Sequence, residues 1–324
     1  MTDKSIPRNG KDAPLVVIAI GGNSLIKDQK HRTVLDQYKA VGETVHHIAP
    51  IVREGYRVVI THGNGPQVGF ILLRSDLARE VLHEVPLVSC VADTQGAIGY
   101  QITQTLQNEL HVQGIDQDVA AVVTQVVVDP DDPAFQHPDK PIGPFMTEEE
   151  AKERAREDGW DVGEDAGRGW RRMVPAPAPI EIIELPSIRA LVDCGTLVVA
   201  VGGGGIPVVR QPDGTLKGQD AVIDKDAATC ILACELGASV LIESTSVDKA
   251  ARYFETEQHE DIDYMTAAEC RGYLEEGHFL PGSMKPKIES ALTFLEQGGE
   301  RVIITQPHHL EKALHGIYGT HIVP

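Results

Sequence analysis

The sequence predicts an α/β protein built on a mainly parallel sheet. Apolar runs of strand length recur at 15–20, 58–60 and 196–201, and each runs straight into a glycine-rich turn. An amphipathic helical pattern separates the first two, which completes a βαβ unit. Its loops gather at one sheet edge, outside the carboxyl ends of the strands, where open α/β sheets bind ligands.

Leu15-Val16-Val17-Ile18-Ala19-Ile20 reads as a strand buried on both faces, delivering Gly21-Gly22-Asn23-Ser24. Glycines there let backbone amides approach an anion, though two alone also suit a plain tight turn. The turn matches neither the dinucleotide fingerprint nor a Walker loop. A helix is expected over 33–54, with Leu35, Tyr38, Val41, Val45, Ile48 and Val52 at three- and four-residue steps and Gly55 closing it. Val58-Val59-Ile60 then leads into Thr61-His62-Gly63-Asn64-Gly65-Pro66-Gln67-Val68-Gly69. A helix over 93–110 and a strand over 119–128 follow.

From 129 to 173 the texture changes to proline, acid and glycine, which reads as an insertion standing on the main sheet. Thr147 with Glu150 opens a capped helix in it. Lys140, fixed between prolines, is placed to reach back over a site. The sheet resumes after a helix at 187–194, with a strand over 196–201 and four glycines, Gly202 to Gly205. Four consecutive glycines cost much backbone entropy on folding, which favours ligand contact. Residues 208–220 form a hairpin turning at Asp213-Gly214.

Ala221-Val222-Ile223 ends in Asp224-Lys225-Asp226 and opens a helix over 227–236. Such a triplet is ordinary on a solvated surface, but beside phosphate its ammonium would offset developing negative charge. A strand over 239–242, a helix capped by Thr266 and Glu269, and a last strand over 302–305 complete the pattern. Between them, Pro281-Gly282-Ser283-Met284-Lys285-Pro286-Lys287 brings lysines to a helix start, an arrangement that suits polyphosphate.

The 324 residues include 42% hydrophobic ones, which excludes a disordered chain. With 29 basic and 48 acidic residues the net charge is −19, so non-specific binding to nucleic acid or anionic membrane is disfavoured. The five cysteines are odd in number and lack a Cys-x-x-Cys pair, which fits reduced structural thiols. No apolar run approaches the roughly 20 residues of a membrane span. Residues 1–14 are polar, unlike a signal peptide, so cytoplasm is the expected location.

Read together, seven blocks resemble the carbamate kinases of the amino acid kinase superfamily, from Val16 to Val323. They lie at 21–23, 61–69, 140–145, 164–169, 202–207, 221–226 and 281–287. The resemblance implies an αβα sandwich around a mainly parallel sheet, with a protruding subdomain matching 129–173. It implies one domain over 1–324, with a carbamoyl-side lobe at about 1–215 and a nucleotide lobe at about 216–324. It further implies a homodimer and reversible phosphoryl transfer between carbamoyl phosphate and ADP, with ATP/ADP and Mg²⁺.

By that analogy Gly21, Gly22 and Asn23 hold the transferred phosphoryl group. Gly63, Asn64 and Gly65 line the carbamoyl side, with Gly203 and Gly204 also on the substrate. Lys140, Lys225, Asp226 and Lys287 form the catalytic set. Asp224, Val247, Asp248, Gly282, Met284 and Lys287 serve the nucleotide, and no residue is assigned as a metal ligand. Two departures stand out. Segment 250–256 lacks the family's Asn and Gly near the adenine and leads into an acidic stretch at 255–263, and Lys285 stands where a small or apolar residue is usual. The rivals are a relative with another acceptor or carbamoyl donor, and a non-catalytic nucleotide or carbamoyl phosphate sensor.

Overall fold

The computed structural model describes residues 10–22, 25–26, 30–165, 167–254 and 256–324. Eight strands form the main sheet, in the order Tyr264–Thr266, Thr320–Val323, Arg301–Thr305, Val240–Ser244, Leu15–Ile20, Arg57–His62, Leu197–Val199 and Val119–Ala121. All neighbours are parallel except Arg301–Thr305 and Thr320–Val323. Every residue of Leu15–Ile20 is buried, as expected of a central strand covered on both faces.

Successive side chains alternate between two cores. Val16, Ile18 and Ile20 join Ile60 and Ile242 beneath Val41 and Val45 of the helix Val34–His46 and Ile98 and Ile102 of Leu87–Val112. Val17, Val59 and Leu241 face the other way, towards the helices Lys225–Leu236 and Met284–Glu296. The result is a three-layer αβα sandwich.

Register positions the site. Ile20 lies opposite His62 on one side and Ser244 on the other, and Ser244 lies opposite Thr305. The loops after four adjacent strands therefore leave the sheet at one level. The insertion is a separate three-stranded antiparallel sheet, with Trp170–Val174 between Lys140–Met146 and Asp161–Glu164, plus the helix Glu148–Asp158. Thr147 and Glu150 make the expected capping box.

Several expected elements differ in extent. The helix over 33–54 is two, Val34–His46 and Ala49–Arg53, because Pro50 cannot donate to a preceding turn and starts a new one. Leu35, placed on its apolar face, is exposed. The strand over 119–128 divides into Val119–Ala121 in the main sheet and Gln125–Val128 in a second, four-stranded one. The chain switches sheets at Thr124, whose backbone N–H and C=O both bond the Gln95 side chain. The strand over 196–201 stops at Val199, since Val201 takes a left-handed φ of 53°. The helix over 93–110 begins earlier, at Leu87, and that over 187–194 is Leu185–Asp193. Residues 302–305 are not the last strand, because Thr320–Val323 closes against them. All five cysteines are free, and the Sγ atoms of Cys230 and Cys234 are 4.0 Å apart.

Candidate active site

The triplet at 224–226 makes its own helix start. The Asp224 side chain accepts hydrogen bonds from the backbone N–H groups of Asp226 and Ala227, so the helix begins at Lys225, two residues before the expected Ala227. That cap turns Lys225 and Asp226 inward. Lys287, on the first turn of Met284–Glu296, meets them there, with its Nζ 3.0 and 2.9 Å from the two Asp226 oxygens. Lys225 Nζ lies 2.5 Å from Asp226 Oδ1.

A fourth member was not foreseen. Glu243, in Val240–Ser244, has its Oε2 3.3 Å from Lys225 Nζ and 3.4 Å from Lys287 Nζ, and is wholly buried. Its one sequence signal is an acid directly after the apolar run 239–242, which the strand extends to Ser244. Burial works against the charge of Lys225, but the Asp226 and Glu243 carboxylates outweigh it and raise its pKa. Burial likewise opposes ionisation of Asp226, yet Lys225 and Lys287 hold its pKa well below the usual range. Glu243 goes the other way, raised first by burial and then by Asp226.

This cluster opens on a cavity of about 540 Å³. Gly21, Gly22, Gly63, Asn64 and Gly65 line one side, and Gly282, Ser283, Met284 and Lys287 line the other. Lys140 reaches in from the subdomain and pairs with Asp224 at 3.5 Å. The first two glycine loops touch: a Cβ on Gly63 would sit 2.8 Å from the Gly22 backbone N. Val247, Ala251, Phe254, Phe279 and Leu280 give the far end an apolar lining.

The remaining assigned residues take other places. Gly203 and Gly204 lie outside the lining. A Cβ on Gly203 would meet the Asn64 amide at 2.1 Å, and one on Gly204 the Ile223 carbonyl at 2.4 Å. These glycines let the chain pack beneath Asn64 and the 224–226 turn, so packing offsets their entropy cost. Asp224 lies beside the cavity as helix cap and partner of Lys140. Asp248 is outside it, 3.7 Å from His309. Asn23 falls outside the described residues, as does Glu255 of the acidic stretch.

The other acids at 257–263 do not crowd the cavity. Ala251–Arg252 pairs with Glu260–Asp261, where Glu260 binds Arg252, Asp261 binds His259, and Asp263 binds Lys249. All are exposed. Lys285 is half-buried and pairs with Glu289 one turn on. His62, to which the resemblance gives no role, is buried, bonds the Gly63 carbonyl, and has its pKa pushed down to about 4 by burial.

Among the described residues no three His, Cys, Asp or Glu side chains are grouped to hold a metal ion. Both Asp226 oxygens are occupied by Lys287. The described side chains therefore do not form a Mg²⁺ site by themselves. A divalent ion would enter on phosphate oxygens, as Mg²⁺ commonly does.

A glycine-lined side facing a lysine-bearing one, over a floor of buried ion pairs and with Lys140 reaching in from the subdomain, suits the binding of phosphate. The family model for amino acid kinases matches residues 14–306. The chain is 49% identical to the carbamate kinase-like protein YahI of Escherichia coli over 313 residues, covering 95% of this chain and 98% of the relative. It is 48% identical to a carbamate kinase of Pyrococcus horikoshii over 315 residues, covering 95% and 99%. A carbamate kinase from Giardia lamblia bound to AMP-PNP superposes with a TM-score of 0.90 at 40% identity, covering 97% of this chain and 99% of that one. The chain belongs to the amino acid kinase family. These three relatives are named as carbamate kinases or as carbamate kinase-like.

Proposed function

We propose that this protein is a carbamate kinase, moving a phosphoryl group reversibly between carbamoyl phosphate and ADP to give carbamate and ATP. The observation that carries the reading is the buried Lys225–Asp226–Lys287 cluster at the floor of the glycine-lined cavity. Phosphoryl transfer is mostly positioning and charge neutralisation, and needs no protein nucleophile.

In this reading Gly21 and Gly22, with Asn23 beside them, cradle the transferred group, and Gly63, Asn64 and Gly65 hold the carbamoyl end. Asp226 orients Lys225 and Lys287, which offset charge on the transferring and nucleotide phosphates. Lys140 closes from the subdomain, with Asp224 as its resting partner. Gly282 and Met284 flank the phosphates, and Val247 the base. Gly203 and Gly204 act on substrate through the Asn64 they support, and Asp248 is left at the rim. Mg²⁺ accompanies the nucleotide and supplies charge neutralisation when bound. The carbamoyl lobe spans about 1–215 and the nucleotide lobe about 216–324.

The protein acts in the cytoplasm as a homodimer. Supporting the dimer, Leu77, Val81 and Leu82 are exposed near the end of one helix. Incubation with carbamoyl phosphate, ADP and Mg²⁺ is expected to yield ATP. No ATP under those conditions sinks the reading.

A further inference from the structure

Glu243 is the member of the lysine cluster to which phosphoryl transfer assigns no task. It does not line the cavity. It is wholly buried, it contacts both lysines through Oε2, and its Oε1 has no hydrogen-bond partner. A buried carboxylate oxygen without a donor costs free energy that protonation of the group relieves. The groups facing it are Lys225, Asp226 and Cys230 from one helix and Lys287 from another. The flanking strands present Ala19 and Ile304, neither of which titrates.

With both acids ionised, two ammonium groups and two carboxylates cancel, and arriving phosphate meets no net charge. With a proton on Glu243, one positive charge is uncompensated. We propose that Glu243 is a positioning residue that couples anion binding to proton uptake. It rests as counter-ion to Lys225 and Lys287, takes a proton from solvent as phosphate oxygens arrive, and returns it when they leave. The protonated carboxyl hydrogen-bonds Asp226, so the two acids then share one negative charge. Burial and the adjacent Asp226 already raise its affinity for a proton, the direction this exchange needs.

The choice of ligand rests on the phosphoryl-transfer reading, so the experiment separates the two. ADP is titrated calorimetrically into wild type and Glu243→Gln, in buffers of different ionisation enthalpy, over roughly pH 6 to 9. The wild type is expected to take up more protons per ADP than the variant, by a difference approaching one where Glu243 is ionised in the free protein. Its affinity should also weaken several-fold more steeply as pH rises. Equal proton uptake at every pH overturns the proposal. If ADP does not bind, the nucleotide reading fails, and the same titration with pyrophosphate, which needs no base pocket, decides the proton coupling. Binding of neither overturns both. Should Glu243→Gln not fold, Glu243→Leu, apolar in an already apolar strand, carries the same comparison.

Discussion

Two parts of this molecule pair lysine or arginine with carboxylate, and they use the pairing differently. At the floor of the cavity, Lys225, Lys287, Asp226 and Glu243 are almost dry. On the subdomain, Arg154 bonds both Asp76 oxygens at 2.6 Å and Asp158 at 2.8 Å, while Arg79 reaches Asp158 at 3.4 Å, all with about a quarter of each side chain in water. The wet network ties the subdomain helix to Gly65–Leu77 and contributes modestly. The dry one contributes little net stability for its desolvation cost, but breaking it leaves a charge stranded. Buried pairing is thus the chemical device and exposed pairing the mechanical one.

Substitutions that hit one kind and spare the other sharpen this contrast. Lys287→Ala should lower turnover about 100-fold and the free energy of unfolding by about 3 kcal/mol, since it strips charge stabilisation and leaves two buried carboxylates to share Lys225 alone. Steady-state kinetics and urea melts read the two effects, and wild-type turnover would remove Lys287 from the mechanism. Lys140→Ala should lower turnover at least about tenfold while shifting stability by less than about 1 kcal/mol, because Lys140 is two-fifths exposed. A stability loss as large as that of Lys287→Ala would show that the lid lysine is structural.

Titration extends the contrast to a buried group outside both networks. His62 has a folded pKa of about 4 against an ordinary 6.5. The unfolded chain therefore binds the extra proton over that window, and stability falls as pH drops from 6.5 towards 4, by about 3 kcal/mol in all. His62→Gln should flatten that slope, as measured by denaturant melts across the window. An unchanged slope assigns the acid sensitivity elsewhere. The smallest effect belongs to the wet network. Arg154→Ala should cost about 1 kcal/mol or less and raise KM a few-fold by loosening the support of Lys140, with kcat little changed. A kcat loss matching that of Lys140→Ala would mean that this arginine reaches the chemistry.

Much of the site was legible because its parts are short and local. Gly21-Gly22, Gly63-Asn64-Gly65 and the 224–226 triplet each follow an apolar run, so strand and turn are visible together. Lys287 could be read from the glycine-serine approach before it. Glu243 could not, because what gives it meaning is Lys287 on a distant helix and Lys225 across a layer, and neither contact has a local signature. The glycines at 203 and 204 are ambiguous in sequence for a related reason. Close packing and ligand contact both demand a missing Cβ, and only the position of Asn64 separates them. Thr320–Val323 was missed because Thr and His interrupt its apolar character and its stability comes from pairing with Arg301–Thr305.

The central strand Leu15–Ile20 is held between Arg57–His62, near it in sequence, and Val240–Ser244, from the far part of the chain. Parallel pairings of that span close late, since a long loop must lose its freedom before the contact returns anything. Until Val240–Ser244 docks, Glu243 cannot reach Lys225 or Lys287, and the loop after Ser244 has no place beside Gly21. Recovered activity after dilution from denaturant should therefore mark completion of the sheet and trail the early return of helical signal.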